Sequence, residues 1–279
     1  MMVDRSRGIL NVAAAALFWS FGGLLIKLIT LHPLATAGGR SMIAAVVIWL
    51  FARPISFRFT GGQIVGALTY AGTVIFFVLA TKTTTAANAI LLQYTAPVYA
   101  ALLSYRLLGE KITGVDWGAI ALVFAGMALF FVENLTPGGM LGNGFAILSG
   151  IFFASCVVLL RKERHGSPLA IVLLGNLLTA LIGLPFLIDT PPVGRDLLYL
   201  LPLGVFQLGL GYLLFVRGVR HVSAIEGTLI PVIEPILNPL WVALFYGEQP
   251  SLYAVLGGLV VVATVTARGI YNATKQSTS

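Results

Sequence analysis

TAANAILLQYTAPVYAALLSYRLLGE (residues 85–110) and SAIEGTLIPVIEPILNPLWVALFYGE (residues 223–248) carry the same landmarks in the same order. Thr85-Ala86-x-Asn88 aligns with Ser223-Ala224-x-Glu226, Pro97 with Pro235, and Gly109-Glu110 with Gly247-Glu248, all at one offset of 138 residues. Proline and Gly-Glu are rare punctuation in apolar helices, so shared composition is a poor account of the match. An odd number of hydrophobic segments between the copies puts the two Gly-Glu corners on opposite faces of a membrane. That is an inverted repeat, the internal symmetry of alternating-access carriers.

Composition agrees. The chain has 279 residues, 58% of them hydrophobic and 10% charged, whereas soluble domains are about a quarter charged. The net charge of +7 is spread over short loops and not gathered on one face, so it reflects topology and not a nucleic-acid partner. One cysteine, Cys156, lies in an apolar run, which excludes an internal disulfide and a Cys/His metal cluster. His32, His165 and His221 fall in separate expected loops. No G-x4-G-K-[ST] loop occurs, so ATP hydrolysis has no site here. The expectation is no enzyme, no metal and no cofactor.

Segments of roughly 20 apolar residues cross a bilayer as helices. Ten are expected, near 9–31, 34–52, 62–80, 84–105, 114–132, 143–161, 168–188, 198–218, 223–246 and 251–270. Arg5 and Arg7 precede the first in the manner of a signal peptide, but the apolar run to Leu31 is too long for a cleaved one. Lysine and arginine test the count. With both termini cytoplasmic, the inside set is Arg5, Arg7, Arg53, Arg58, Arg106, Lys111, Arg161, Lys162, Arg164, Arg217, Arg220, Arg268 and Lys275, against Lys82 and Arg195 outside. Thirteen against two is a strong positive-inside bias. The reading is an all-α integral membrane bundle of ten transmembrane helices, built as two inverted five-helix repeats over 9–132 and 143–270. Phe18-Trp19-Ser20 extends the internal match to Phe152-Phe153-Ala154, and Lys27 to Arg161.

The ninth segment is the most unusual. Pro231, Pro235 and Pro239 recur every four residues, and each frees a carbonyl four residues back. Freed carbonyls are tolerated at membrane depth where they face protein or a water-filled cavity. A kink that merely improves packing is the alternative, and Glu234, mid-span between two of the prolines, weighs against it. Glu234, Asn238 and Trp241 share one helical face. Three roles are open to Glu234: a coupling proton site, a grip on a substrate ammonium, or an ion pair with a buried cation, Lys27 or Arg40. The fourth segment offers Gln93, Tyr94 and Tyr99, with Pro97 as its hinge, and has Ala96 where the ninth has Glu234. Trp19, Ser20, Phe77, Phe153, Gln207 and Tyr212 complete the candidate cavity wall; interhelical packing is the competing role for each. Gly109 and Gly247 are expected as left-handed helix ends, with Glu110 cytoplasmic beside Arg106 and Lys111, and Glu248 external.

The proline-containing fourth and ninth helices, each closing with Gly-Glu, and the Phe-Trp-Ser of the first resemble the drug/metabolite transporter superfamily, specifically its EamA-type members. The resemblance covers about Gly8 to Arg268 and extends to the YddG-like branch of aromatic amino acid exporters. It implies a secondary exporter or exchanger of amino acids or related metabolites. A mostly apolar, aromatic cavity with a few amides, one carboxylate and room at Lys27 and Arg40 for a substrate carboxylate suits a zwitterion. A phosphate ester would require several basic residues. The expected partners are a small-molecule substrate and the lipid bilayer, with a monomer sufficient, in a multi-pass position in the cell membrane, bacterial inner membrane by its small loops. Nucleotide-sugar exchange, broad drug efflux, lipid enzymology and a channel are the rival readings.

Overall fold

The computed structural model describes residues 2–52, 55–132, 139–237 and 251–277, and every regular element among them is helical. Helices α1 (Met2–Trp19) and α2 (Gly22–Leu28) form one interrupted rod, followed by α3 (Pro33–Phe51) and α4 (Gly61–Thr83). The fourth expected span is two helices, α5 (Ala86–Gln93) and α6 (Ala96–Leu108). Then come α7 (Gly114–Phe131), α8 (Met140–Lys162) and α9 (Pro168–Asp189). The eighth rod joins α10 (Arg195–Pro202), a π-helical stretch (Leu203–Leu210) and α11 (Gly211–Val219). The ninth begins as α12 (Ala224–Leu229), tightens to a 3-10 turn (Ile230–Val232) and resumes as helix over 233–237; α13 (Leu252–Ser277) closes the chain. Asn238, Pro239, Trp241 and Gly247-Glu248 lie outside the described residues.

Among the described residues, seven rods are long and apolar enough to cross a membrane: Asp4–Leu28, Pro33–Phe51, Gly61–Thr83, Met140–Lys162, Pro168–Asp189, Arg195–Val219 and Leu252–Tyr271, with a shorter apolar helix at Gly114–Phe130. Large apolar side chains such as Val46, Trp49, Leu181 and Leu259 stand at least half exposed on their outer faces. Water would penalise that surface, whereas lipid accepts it.

Helix starts follow their capping residues. Thr85 accepts from Asn88 N at 3.1 Å, and Ser223 accepts from Glu226 N at 3.2 Å while Glu226 returns a bond to Ser223 N at 2.9 Å. The repeated Thr/Ser-Ala-x-Asn/Glu motif is therefore one N-cap used twice, on α5 and α12. Gly109 ends α6 at φ +66°, a left-handed turn that favours glycine.

Helices at equal positions in the two halves pack on each other: α3 against α9, and α7 against α13. The remaining large contacts are also exchanges between halves, α4 with α8 and α1 with α11. The α3–α9 crossing is backbone on backbone. A β-carbon on Gly183 would stand 2.5 Å from the Leu34 carbonyl oxygen and 2.6 Å from the Gly38 Cα. Since main chain cannot yield, Gly183→Ala is expected to force the helices apart at a cost of about 1–3 kcal/mol. The measurement is the temperature at which Cys156, buried and single, becomes reactive to a maleimide.

Candidate functional site

The breaks in the fourth and ninth segments face each other. Tyr94, at the end of α5, places its hydroxyl 2.8 Å from the Pro231 carbonyl oxygen and 2.6 Å from Glu234 Oε2. Pro235 has no N–H to return to Pro231, so that carbonyl is free to accept from a side chain. A phenol carries one proton, and two acceptors lie within its reach; when Tyr94 donates to Pro231, the contact to Glu234 is completed by a proton on the carboxyl. Beside Tyr94, Gln93 donates to Ser149 Oγ at 2.8 Å, and Ser149 to the Thr73 carbonyl at 2.9 Å, tying α5 to α8 and α4.

The opposite wall is aromatic. The Trp19 ring lies 4.9 Å from Tyr212 and 6.0 Å from Phe153, centroid to centroid, the latter edge-on. Trp19, Phe77, Gln93, Tyr94, Phe153, Gln207, Tyr212 and Glu234 line a single cavity with Arg40, Thr73, Val74 and Leu208. Its volume is about 40 Å³, room for a few waters and far below the several hundred Å³ of a small-molecule site. The cavity is small in this conformation.

Arg40 joins the cavity as a deeply buried cation. It is 1% exposed, with Nη1 donating to Gln207 Oε1 and Nη2 to the Val74 carbonyl, each at 3.2 Å. Because α3 begins at Pro33, Arg40 is two turns inside the rod. The π-helical stretch turns Gln207 to meet it, an insertion common at functional sites and invisible in composition. Thr73, Val74 and Leu208 also line the cavity without having been singled out; small and branched residues of this kind carry no signal beyond helix packing. Other candidates lie elsewhere. Ser20 donates to the Leu17 carbonyl at 2.6 Å, and Tyr99 packs partly buried against the Trp19–Tyr212 core. Lys27 donates to the Thr84 carbonyl at 2.9 Å, near the helix ends opposite the N-terminus. Pro97 is the second residue of α6, just past the break, and Pro231 occupies the 3-10 turn.

The face carrying the N-terminus is cross-braced by charge. Glu110 was expected beside Arg106 and Lys111, but the left-handed turn at Gly109 aims it across the bundle. There Oε1 accepts from Arg161 Nε and Oε2 from the Ala224 backbone N–H, both at 3.0 Å. The Gly-Glu corner thus docks on the first turn of α12. Next to it Arg5 pairs with Glu226 at 2.5 Å, and Arg268 with Asp116 at 2.6 Å and with Glu226 at 3.6 Å.

A helical membrane bundle with a small central cavity between two interrupted helices is the architecture of a solute carrier. The chain belongs to the EamA-like transporter family, whose model matches residues 6–132 and 140–267 in turn. It is 32% identical to a transporter of Archaeoglobus fulgidus over 69% of this chain and 70% of that one. It is 24% identical to human solute carrier family 35 member G1 over 92% and 77%, and 27% identical to the Pseudomonas aeruginosa pseudopaline exporter CntI over 65% of each. One crystal structure superposes with a TM-score of 0.80 over 94% of this chain and 97% of the other at 20% identity, a likeness of fold. The protein is thus a multi-pass membrane transporter built from two EamA repeats, in a family that is transporter-type and not enzymatic.

Proposed function

We propose that this transporter is a ten-span carrier that exports small organic metabolites by alternating access, with neutral and aromatic amino acids as its substrates. Both termini are placed in the cytoplasm, in a bacterial inner membrane. The observation that carries the reading is the small cavity beside the Tyr94–Pro231–Glu234 junction, where the breaks of two repeat-related helices meet. Pairing of α3 with α9 and of α7 with α13, equivalents from the two halves, supports an inverted repeat. The positive-inside count supports the orientation, and an exporter among the relatives supports the direction. Five aromatic rings on the wall, Trp19, Phe77, Tyr94, Phe153 and Tyr212, support an amphipathic solute.

The test is uptake of labelled amino acids by purified protein in liposomes, with and without a pH gradient. Saturable uptake is expected. Proton coupling through Glu234 is the second reading, favoured by the single phenolic proton shared between two acceptors. In that case uptake follows the gradient, and Glu234→Gln abolishes the response while leaving the protein folded. Uptake indifferent to the gradient in the wild type leaves Glu234 as a binding or structural group. A gradient response surviving in Glu234→Gln sinks the coupling assignment. No uptake of any amino acid removes this substrate class.

A further inference from the structure

We infer that Arg40 is a carboxylate subsite of the central cavity, so that the transported solute must carry a carboxylate to be held. The inference rests on the carrier reading and deepens it. A guanidinium has five N–H donors and a fixed positive charge. Arg40 spends two donors on neutral oxygens, Gln207 Oε1 and the Val74 carbonyl, and its buried Nε has no acceptor. Carbonyl oxygens orient the group without neutralising it.

Among the described residues no acid forms an ion pair with Arg40. Glu110 holds Arg161, Asp116 and Glu226 hold Arg268 and Arg5, Asp196 accepts from Thr30, and Glu234 meets Tyr94. A buried cation without an anion is costly, and it is retained where an anion arrives from outside. The cavity wall supplies the place: Arg40 and Glu234 both line it, and no ion pair joins them. Gln207 and Val74, on separate helices, fix the guanidinium plane in advance, leaving the Nε edge for a planar, two-oxygen partner. The preorganised fork makes Arg40 a specificity determinant: an amine lacking the acid leaves the charge unanswered and is rejected.

The test uses purified full-length protein immobilised in detergent and a mixture of matched pairs. Each pair is an acid and its decarboxylated counterpart: phenylalanine with phenethylamine, tryptophan with tryptamine, leucine with isoamylamine, and lactate with ethanol. Retained solutes are quantified by mass spectrometry. The acid of at least one pair is expected to bind about ten- to a hundredfold more tightly than its partner, the range of one charge-assisted hydrogen-bonded contact. Arg40→Gln should erase that preference, and Arg40→Lys should restore part of it. Folding of each variant is read from Cys156, which stays unreactive to maleimide while buried. Should a variant fail to fold, the acid-over-amine preference of the wild type decides alone. Equal retention of both members of every pair, retention of neither, or an intact preference in folded Arg40→Gln overturns the subsite. Liposome flux is measured in parallel, so flux without acid preference removes the subsite and leaves the carrier reading, whereas absence of flux for every solute tested removes the amino acid substrate class.

Discussion

Arg268→Ala is expected to destabilise the protein by about 3–5 kcal/mol, the cost of leaving a buried charge without its partner. Arg268 is 6% exposed and joins three elements: it lies on α13, grips Asp116 Oδ1 on α7 through Nε at 2.9 Å and Nη2 at 2.6 Å, and reaches Glu226 on α12 at 3.6 Å. The losses are unequal. Glu226 keeps Arg5 and its bond from Ser223 N, so it stays answered. Asp116 keeps only the bonds of its own capping box, from the Thr113 N–H and hydroxyl, in a pocket closed to water. Arg268→Met keeps most of the apolar stem and separates charge from packing. It should recover little if the ion pair is what counts. The measurement is the temperature of Cys156 exposure in each variant. A midpoint within a degree of the wild type would mean that the pair is solvated and contributes nothing. In the alternating-access reading these ion pairs must also part for the N-terminal face to open, so neutral substitutions at Arg268 should favour the open form.

How far the chain could be read in advance depended on the range of the interaction. Local chemistry was legible. The glycine end at Gly109 is set within a few residues and the structure forms it, and the repeated landmark at Thr85 and Ser223 proves to be an N-cap of equally short range. Segment length and hydropathy marked the rods, yet could not say that the fourth breaks at Tyr94–Thr95 or that residues 203–210 form a π-helix. Both features are settled by neighbours: the Gln93 carbonyl presses against Gly150, and Ile43 against Gly204. Glu110 shows the same limit from the side of charge. Adjacent Arg106 and Lys111 were its nearest cations in sequence, but Arg161, on the first helix of the second repeat, lies nearer in space because Gly109 reverses the chain. Arg40 was legible as a buried cation, but its partners, Gln207 and the Val74 carbonyl, lie on other helices and were not. Ser20 and Tyr99 share the residue types of the cavity wall and point elsewhere, since helix periodicity separates faces only when the helix is unbroken.

Tyr94→Phe is the substitution expected to damage transport most for the smallest change in shape. One oxygen is removed, and two buried groups lose their contact: the Pro231 carbonyl and the Glu234 carboxyl. Orphaning a buried polar group costs about 1–3 kcal/mol, and more where charge is involved. The Pro231 carbonyl has no substitute in its own helix, because Pro235 cannot donate to it. The hydroxyl also ties the break of the fourth segment to that of the ninth, so its loss uncouples the two elements whose joint movement an alternating-access cycle requires. Transport in liposomes should fall more than tenfold while the binding preference set at Arg40 is retained. The double-mutant cycle separates the terms. If the junction works through the Tyr94–Glu234 contact, then Tyr94→Phe added to Glu234→Gln should cost much less than the two single losses summed. Additive losses would instead assign Tyr94 to the Pro231 carbonyl, making the phenol a splint for the broken ninth helix and leaving Glu234 to act through the solute alone.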